Sequence, residues 1–405
     1  MNVLFIGKFL PAQLLNRVYK DSKGKIGMSN HNFEMSIISG LCQHTDINLK
    51  CISIPEAYSF PYNNRRFYTK PESYDYKSTH IRSVGFCNLP IVKELWSTIS
   101  LIFVLISYMY RLPGNRVDVI INTPNNELFN ALKVVKLFTR KRITLTTIIP
   151  DIPAMVFSMD KSNGMRSQFL RLRNRNAMNS TSKSNGLVLL TKSMMEFINK
   201  PLPYIVMEGI ADIGAMDINE KTIFHNNKEI LLYTGTLRKI FGIVNLVEAF
   251  KKISRDDVEL WICGTGDAKD IIENEARKDS RIKYFGLVDS QTALKMQHQA
   301  TILVNPRTSD GDYTKYSFPS KTIEYLLSGK SVVINRLAGI PDEYYEYVFT
   351  PTDESIQSLY ECISFVLNLD LKKRDIKSIN GRQFIIEKKN SFVQTSRILE
   401  MIRTY

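Results

Sequence analysis

Cysteine is scarce in this chain. Five residues, Cys42, Cys51, Cys87, Cys263 and Cys362, are spread over 405 positions. An odd number at these spacings matches neither a disulfide framework nor a zinc site, so buried free thiols in a reducing compartment are expected. Long hydrophobic runs are also lacking. The longest uncharged stretch, 95–110, is short of the roughly 20 apolar residues of a spanning helix and carries Ser97, Thr98, Ser100 and Ser107. A buried or half-buried helix is the first expectation there, with an interfacial membrane helix second. The apolar start, 1–7, has no basic leader and is too short for a signal-peptide core, so it reads as a buried first strand. There is no low-complexity segment and no repeat beyond a two-fold domain pattern. The composition is 44% hydrophobic, 23% charged and 10% aromatic, which excludes a disordered chain, a collagen-like fibre and a small disulfide scaffold.

Acidic residues are missing from one half only. Residues 1–205 hold 27 Lys and Arg against 12 Asp and Glu, a net of +15. Residues 206–405 hold 27 against 28, a net of −1. The formal charge of +14 is therefore a property of the first half. Such asymmetry points to one half that meets an anionic surface and one that does not.

Short apolar strands alternate with helix-length segments along the whole chain. The first series of strands falls at 3–6, 48–54, 117–122, 143–149 and 186–190. The second falls at 230–233, 258–263, 282–285, 301–305 and 331–335. Continuous apolar runs suit parallel strands covered on both faces, and the alternation implies βα units. The break near 200–225 contains Pro201 and Pro203. The expected fold class is α/β, with two Rossmann-like doubly wound domains facing across a cleft. Their expected bounds are 1–205 and 206–388, with a C-terminal helix, 389–405, packing back toward the first domain. Ligands of such sheets sit at the carboxyl ends of the strands.

Three strand ends in the second half carry glycines. Tyr233-Thr234-Gly235 is followed by Arg238 and Lys239, two candidates for binding a diphosphate. Cys263-Gly264-Thr265-Gly266 leads from a strand into a helix, where backbone N–H groups favour anions or polar ring atoms. Gly286-Leu287-Val288 ends a third strand. The segment Tyr316-Ser317-Phe318-Pro319-Ser320-Lys321-Thr322 opens a helix, and Ser320, Lys321 and Thr322 there offer backbone donors. Glu324 lies about one turn further on, where it could accept from a ribose diol. Each of these, read alone, is also compatible with an ordinary loop or helix surface.

Taken in order, the motifs resemble the retaining GT-B glycosyltransferases of glycosyltransferase family 4. The resemblance is good over about 186–345 and faint before it. It implies a nucleotide-sugar site in the second domain. Glu324 would match the second glutamate of the family's Glu-x7-Glu pair and hold the ribose. Gly235, Gly264, Gly266, Gly286, Leu287 and Val288 would border the donor, and Ser320, Lys321 and Thr322 would face its diphosphate. Two departures stand out. Tyr316 occupies the place of the first glutamate, with Asp310 or Asp312 as substitutes from the preceding loop. The family's phosphate-binding positions fall on Thr236 and Phe241, leaving Arg238 and Lys239 as the nearest cations. The Lys-Tyr-Ser-Phe-Pro-Ser-Lys run resembles surface-polysaccharide members. In the first domain the resemblance implies a glycine loop, with Gly27 as the donor-side candidate beside Gly24, Met28 and Ser29. Ser29 or Asn30 would cap a helix over 33–41, and Asn30 and His31 could otherwise reach the acceptor. Asp151, at a strand end flanked by Pro150 and Pro153, is the acceptor-site candidate and is grouped with Arg238 and Lys239 as catalytic.

These readings lead to one expectation: a sugar moves from a nucleotide-sugar donor to a lipid-linked or oligosaccharide acceptor in capsule, O-antigen or exopolysaccharide synthesis. No cofactor is expected, and the GT-B resemblance implies metal independence. The expected setting is cytoplasmic, with the inner face of the plasma membrane as the anionic partner and no nucleic acid. Three alternatives compete with this expectation. A sugar-nucleotide epimerase would want acidic and histidine groups on both sides of the sugar, and a phosphorylase would want a cofactor lysine. A nucleic-acid binder would want aromatics among cations, as around Arg65, Arg66 and Lys70 near Tyr58 to Tyr76.

Overall fold

The computed structural model describes residues 1–22, 28–55, 63–68, 71–89, 92–152, 165–215 and 228–405. It divides into two compact units. The first comprises Met1–Asp212 with Ser391–Tyr405, and the second Ile213–Asn390. The first unit holds 29 Lys and Arg against 15 Asp and Glu, and the second 25 against 25. Drawn at the structural boundary, the whole net charge of +14 lies in the first unit.

The first unit is built on an eight-stranded sheet. Its strands are β1 (Asn2–Gly7), β2 (Asn48–Ser53), β4 (Ser73–Tyr76), β5 (Thr79–Ser83), β7 (Arg116–Asn122), β8 (Arg142–Ile149), β9 (Gly186–Leu189) and β10 (Tyr204–Val206). A separate two-stranded ribbon joins β3 (Phe67–Tyr68) to β6 (Phe86–Cys87). The sheet order is β10-β9-β8-β7-β1-β2-β5-β4. All neighbours are parallel except the edge pair β4 and β5. The central strands are buried on both faces, as their continuous apolar runs require. The antiparallel edge was not expected. Its polar alternation, Ser-Tyr-Asp-Tyr, suits a half-solvated strand.

Strand β10 also corrects the expected domain boundary before Val206. It pairs with β9, so the chain leaves the first unit only after Asp212. The helix Ser391–Arg403 packs on the helix Met28–Leu41 of the same unit. Gly40 permits this, because a Cβ there would collide with the Ser391 carbonyl. The Arg116 guanidinium donates to the Ile402 and Tyr405 carbonyls, satisfying the last turn and end of the chain (2.8 Å each).

The second unit has a five-stranded, wholly parallel sheet. Its strands are β11 (Glu229–Thr234), β12 (Val258–Cys263), β13 (Ile282–Gly286), β14 (Ile302–Asn305) and β15 (Ser331–Ile334), in the order β13-β12-β11-β14-β15. The order reverses at β11, so β11 and β14 flank the topological switch point where such sheets bind ligands. Helices Ile243–Lys251 and Ile356–Leu367 bury Leu246, Phe250, Leu359 and Ile363 in one core with β11 and β12.

Several local expectations change. The helix expected over 33–41 begins at Met28, so Ser29 and Asn30 lie in its first turn and do not cap it. Gly24 and Gly27 fall outside the described residues. Of the aromatics in the 58–76 segment, Tyr68 is buried, stacking on Phe86 at 4.9 Å with its hydroxyl donating to Asp21, whereas Phe67 is 54% exposed. Two cations of this unit are engaged locally: Arg173 pairs with Glu94 and Glu127, and the Lys141 ammonium donates to the Leu112 and Gly114 carbonyls. All five cysteines are free thiols, and Cys51, Cys87 and Cys263 are buried.

Candidate active site

The carboxyl edge of the five-stranded sheet brings most of the candidate residues together. The loop after β12 lies directly on the loop after β11. Gly264 has φ +137°, and a Cβ there would fall on the Gly235 carbonyl oxygen. The Gly235 N–H donates to Cys263 O (3.0 Å) and the Gly264 N–H to Gly286 O (2.7 Å). Three strand ends are thus laced into one backbone ledge. The Leu237 N–H donates to Thr265 O (2.9 Å), and a Cβ at Gly266 would strike the Leu237 carbonyl. Side chains are excluded here, so a ligand meets backbone at close range. Leu287, 74% exposed, stands beside this ledge with Phe285, and Val288 is half-buried.

The cations sit on the other side of β11. Gly242, with φ +74°, caps the helix Ile243–Lys251 and lets the chain pass against the Pro306 carbonyl. This packs Phe241 against the loop after β14. The Arg307 guanidinium lies 4.2 Å from the centre of the Phe241 ring, and the Arg238 guanidinium 5.6 Å from it. Arg307 also lies over Tyr313, at 5.3 Å. Two like charges gathered on one ring form a local positive field suited to an anion. Lys239 is exposed, and its backbone N–H is taken by the Asp267 carboxylate (2.7 Å). Arg307 was missed in the sequence. Its signal is spatial: the cation absent from position 241 is delivered from the neighbouring strand onto the aromatic that replaced it.

The helix Lys321–Leu327 carries Glu324, whose carboxylate pairs with the Lys321 ammonium at 2.6 Å while both remain about one-third exposed. Its first turn corrects one expectation. The Thr322 N–H is not a free donor, because it bonds to Pro319 O (2.9 Å), and Thr322 is fully buried. Ser320 is exposed. Tyr316 is buried in the place where a glutamate was expected, with the Lys315 ammonium 5.3 Å from its ring. Tyr325, next to Glu324, has no role in the sequence reading. Its hydroxyl, fully buried, accepts from Thr234 N (2.9 Å) and donates to Thr234 O (3.2 Å). It pins the Glu324 helix to the end of β11, and burial raises its pKa.

The first unit assembles a different cluster at its sheet's carboxyl edge. Glu34, fully buried, accepts from Phe9 N (2.7 Å), from the Asn122 amide (2.5 Å) and from the Asn30 amide (3.2 Å). A Cβ at Gly7 would overlap this carboxylate. Burial pushes the Glu34 carboxyl up to about 7, against the pull of its hydrogen bonds. His31 Nδ1 accepts from Leu10 N (3.2 Å), so Asn30 and His31 are engaged in holding the loop after β1. Neither Glu34 nor Asn122 was singled out in the sequence. Asp151 is exposed beyond β8.

The order β13-β12-β11-β14-β15, with a glycine-laced, cation-flanked carboxyl edge, is that of a Rossmann-like nucleotide-binding domain. Residues 228–368 match the model of the family Glycosyl transferases group 1. Among solved structures, sucrose-phosphate synthase from Thermosynechococcus elongatus is similar over 100% of this chain and 99% of its own, with TM-score 0.66 and 12% identity. HepE from Anabaena in complex with UDP is similar over 100% of both chains, with TM-score 0.63 and 14% identity. The α,α-trehalose 6-phosphate synthase from Burkholderia multivorans matches over 100% and 96%, with TM-score 0.63 and 9% identity. At these identities the structures establish the fold. No curated protein sequence matches the chain. The match over 228–368 is to a glycosyltransferase domain, and the fold of the whole chain is that of the GT-B glycosyltransferases.

Proposed function

We propose that the protein is a retaining glycosyltransferase that moves a sugar from a nucleotide-sugar to a glycan acceptor on a lipid carrier, in the synthesis of capsule, O-antigen or exopolysaccharide. The observation that carries the donor half of this reading is the pair Arg238 and Arg307 on Phe241, next to the glycine ledge and one short helix from Glu324. The ledge receives the nucleoside, with Leu287 against the base. Glu324 accepts from the ribose hydroxyls, and Lys321 holds its carboxylate in place. Arg238, Arg307 and Lys239 face the diphosphate.

The chemistry follows from those positions. The bond between the anomeric carbon and the diphosphate oxygen breaks, and its electron pair goes to that oxygen. The acceptor hydroxyl attacks from the same face, and its proton passes to the departing phosphate. Charge develops on the leaving group, so guanidinium groups placed there in advance lower the barrier. The arginines supply the positive charge a metal would otherwise provide, and the reading makes the reaction metal-independent. The acceptor falls to the first unit, whose net charge suits a diphosphate-linked lipid at the cytoplasmic face of the plasma membrane. Asp151 is the side chain we assign to the acceptor.

A thermal-shift screen against nucleoside diphosphates and their sugars tests the donor site. A ligand at 100 times its dissociation constant adds about 2.7 kcal/mol. Glu324→Ala should lose the shift and keep the unliganded melting point. Arg307→Ala should lower turnover about a hundredfold. An unshifted protein with every nucleotide, or full activity in both variants, overturns the assignment. The anomeric configuration of the product, read by NMR, decides retention. Activity that survives a chelator decides the metal question.

A further inference from the structure

The helix Val92–Arg111 is the one helix among the described residues long and apolar enough to cross a membrane by length and composition. It does not need to cross one to explain its sequence. Leu101, Val104, Leu105 and Met109 face the core of the first unit. A span would strip them from that core. The opposite face is apolar too. Leu95, Trp96, Ile99, Phe103 and Tyr110 are exposed, Phe103 by 66% and Tyr110 by 74%. Their spacing places them on one side of the helix, along a stripe of about 22 Å at 1.5 Å per residue. Trp96, Phe103 and Tyr110 recur every seven residues. Large aromatics in such a row suit a boundary between headgroups and acyl chains.

The stripe continues beyond the helix. The Tyr110 hydroxyl donates to the Phe138 carbonyl (3.2 Å), which sets the exposed Leu137 and Phe138 beside the helix end. The same loop presents Lys136 and Arg140 to solvent, with Arg142 exposed at the start of β8 and Arg111 at the helix end. The chain carries no acidic residue from 128 to 150. Glu94, on the helix itself, is neutralised by Arg173. An apolar stripe next to cations with no nearby counter-charge has the pattern of a surface that seeks acyl chains and anionic headgroups together.

We propose that this face docks the enzyme on an anionic bilayer, with the Val92–Arg111 helix in the plane of the interface and the 136–142 cations on the headgroups. The inference deepens the membrane part of the function proposed above and rests on that reading for its purpose. The test is co-sedimentation of the full chain with vesicles of phosphatidylcholine alone or mixed with phosphatidylglycerol. The mixed vesicles should bind the protein and the neutral ones should not, and added salt should weaken binding. Ile99→Ser with Phe103→Ser should lower the partition coefficient at least about tenfold. Arg140→Glu with Arg142→Glu should lower it at least roughly fivefold per cation. Both variants are surface changes, and their circular dichroism and nucleotide thermal shift without vesicles should match the parent. Protein left in the supernatant with phosphatidylglycerol vesicles overturns the proposal, as does equal binding by the variants. A dimer in solution that Phe103→Ser disperses also overturns it, by showing that a second copy covers the face. A nucleotide shift without vesicle binding removes the docking surface and keeps the donor site. Vesicle binding without a nucleotide shift does the reverse.

Discussion

The two units solve the same problem in opposite ways. Each must hold a loop rigidly at the carboxyl end of a parallel sheet. The second unit lays backbone on backbone, with Gly264 against Gly235 and the Gly264 N–H on Gly286 O. The first unit uses a side chain from below, with the Glu34 carboxylate gripping Phe9 N while Asn122 and Asn30 grip Glu34. A backbone-to-backbone contact carries no charge of its own to titrate. A buried carboxylate depends on its charge. The charges differ likewise, since the second unit is neutral and the first carries all of the excess. In the neutral unit Arg238 and Arg307 gather on Phe241.

The backbone ledge should be the harder of the two to alter. Gly264→Ala would place a Cβ on the Gly235 oxygen at a φ of +137°. The expected loss is about 4 kcal/mol of stability, measured by urea unfolding, with nucleotide binding lost in whatever folds. A variant that unfolds with the parent and still shifts with nucleotide would show that the ledge is loose and the comparison wrong.

This contrast also explains what the sequence could reveal. Backbone packing demands glycine at Gly264 and Gly266, and a φ of +68° favours it at Gly286, so these positions leave a pattern that can be read in order along the chain. The alternation of βα units is legible for the same reason, because covered parallel strands must be apolar throughout. A polar latch leaves no such trace. Glu34 sits between Phe33 and Met35 in a helix and looks like any surface glutamate until the fold buries it. Arg307 escaped because it acts across strands: its partner Phe241 is 66 positions away in sequence. The Thr322 N–H was misread because the helix starts with a tight turn from Pro319, which consumes the donor. Strand β10 was misread because three residues between prolines and a polar segment carry too little pattern to show pairing.

The first unit's latch should titrate. Glu34 has a carboxyl at about 7 in the folded chain, against an ordinary value of 4.5. Between those values the folded state binds more protons than the unfolded one, so stability is highest below pH 4.5 with respect to this group. It falls as pH rises to about 7 and is flat beyond, a loss of about 3 kcal/mol. Glu34→Gln keeps the size and removes the charge. Its stability should lose this pH dependence, measured by urea unfolding at pH 5 and at about pH 8. Parent and variant with the same slope would mean that Glu34 does not titrate in this window. No buried carboxylate grips the Gly264–Gly235 contact, so the second unit's nucleotide affinity should owe no pH dependence to that contact.

The smallest change probes how the neutral unit carries rigidity from its sheet to its ligand. Tyr325→Phe removes one hydroxyl and no volume worth counting. The Thr234 N–H and carbonyl each lose a buried partner, while Gln297 still donates to Thr234 Oγ1 (3.1 Å). A cost of about 1–2 kcal/mol in unfolding follows. The more telling readout is nucleotide affinity. Tyr325 touches β11 while its neighbour Glu324 is the residue assigned to the ribose, so a loosened helix start should weaken nucleoside diphosphate binding several-fold. A purely structural hydroxyl would move the melting point and leave the dissociation constant alone. If affinity falls with stability, the rigidity of the ledge reaches the ligand through this one hydrogen-bonded turn, and the second unit is a single preorganised surface from Gly286 to Glu324.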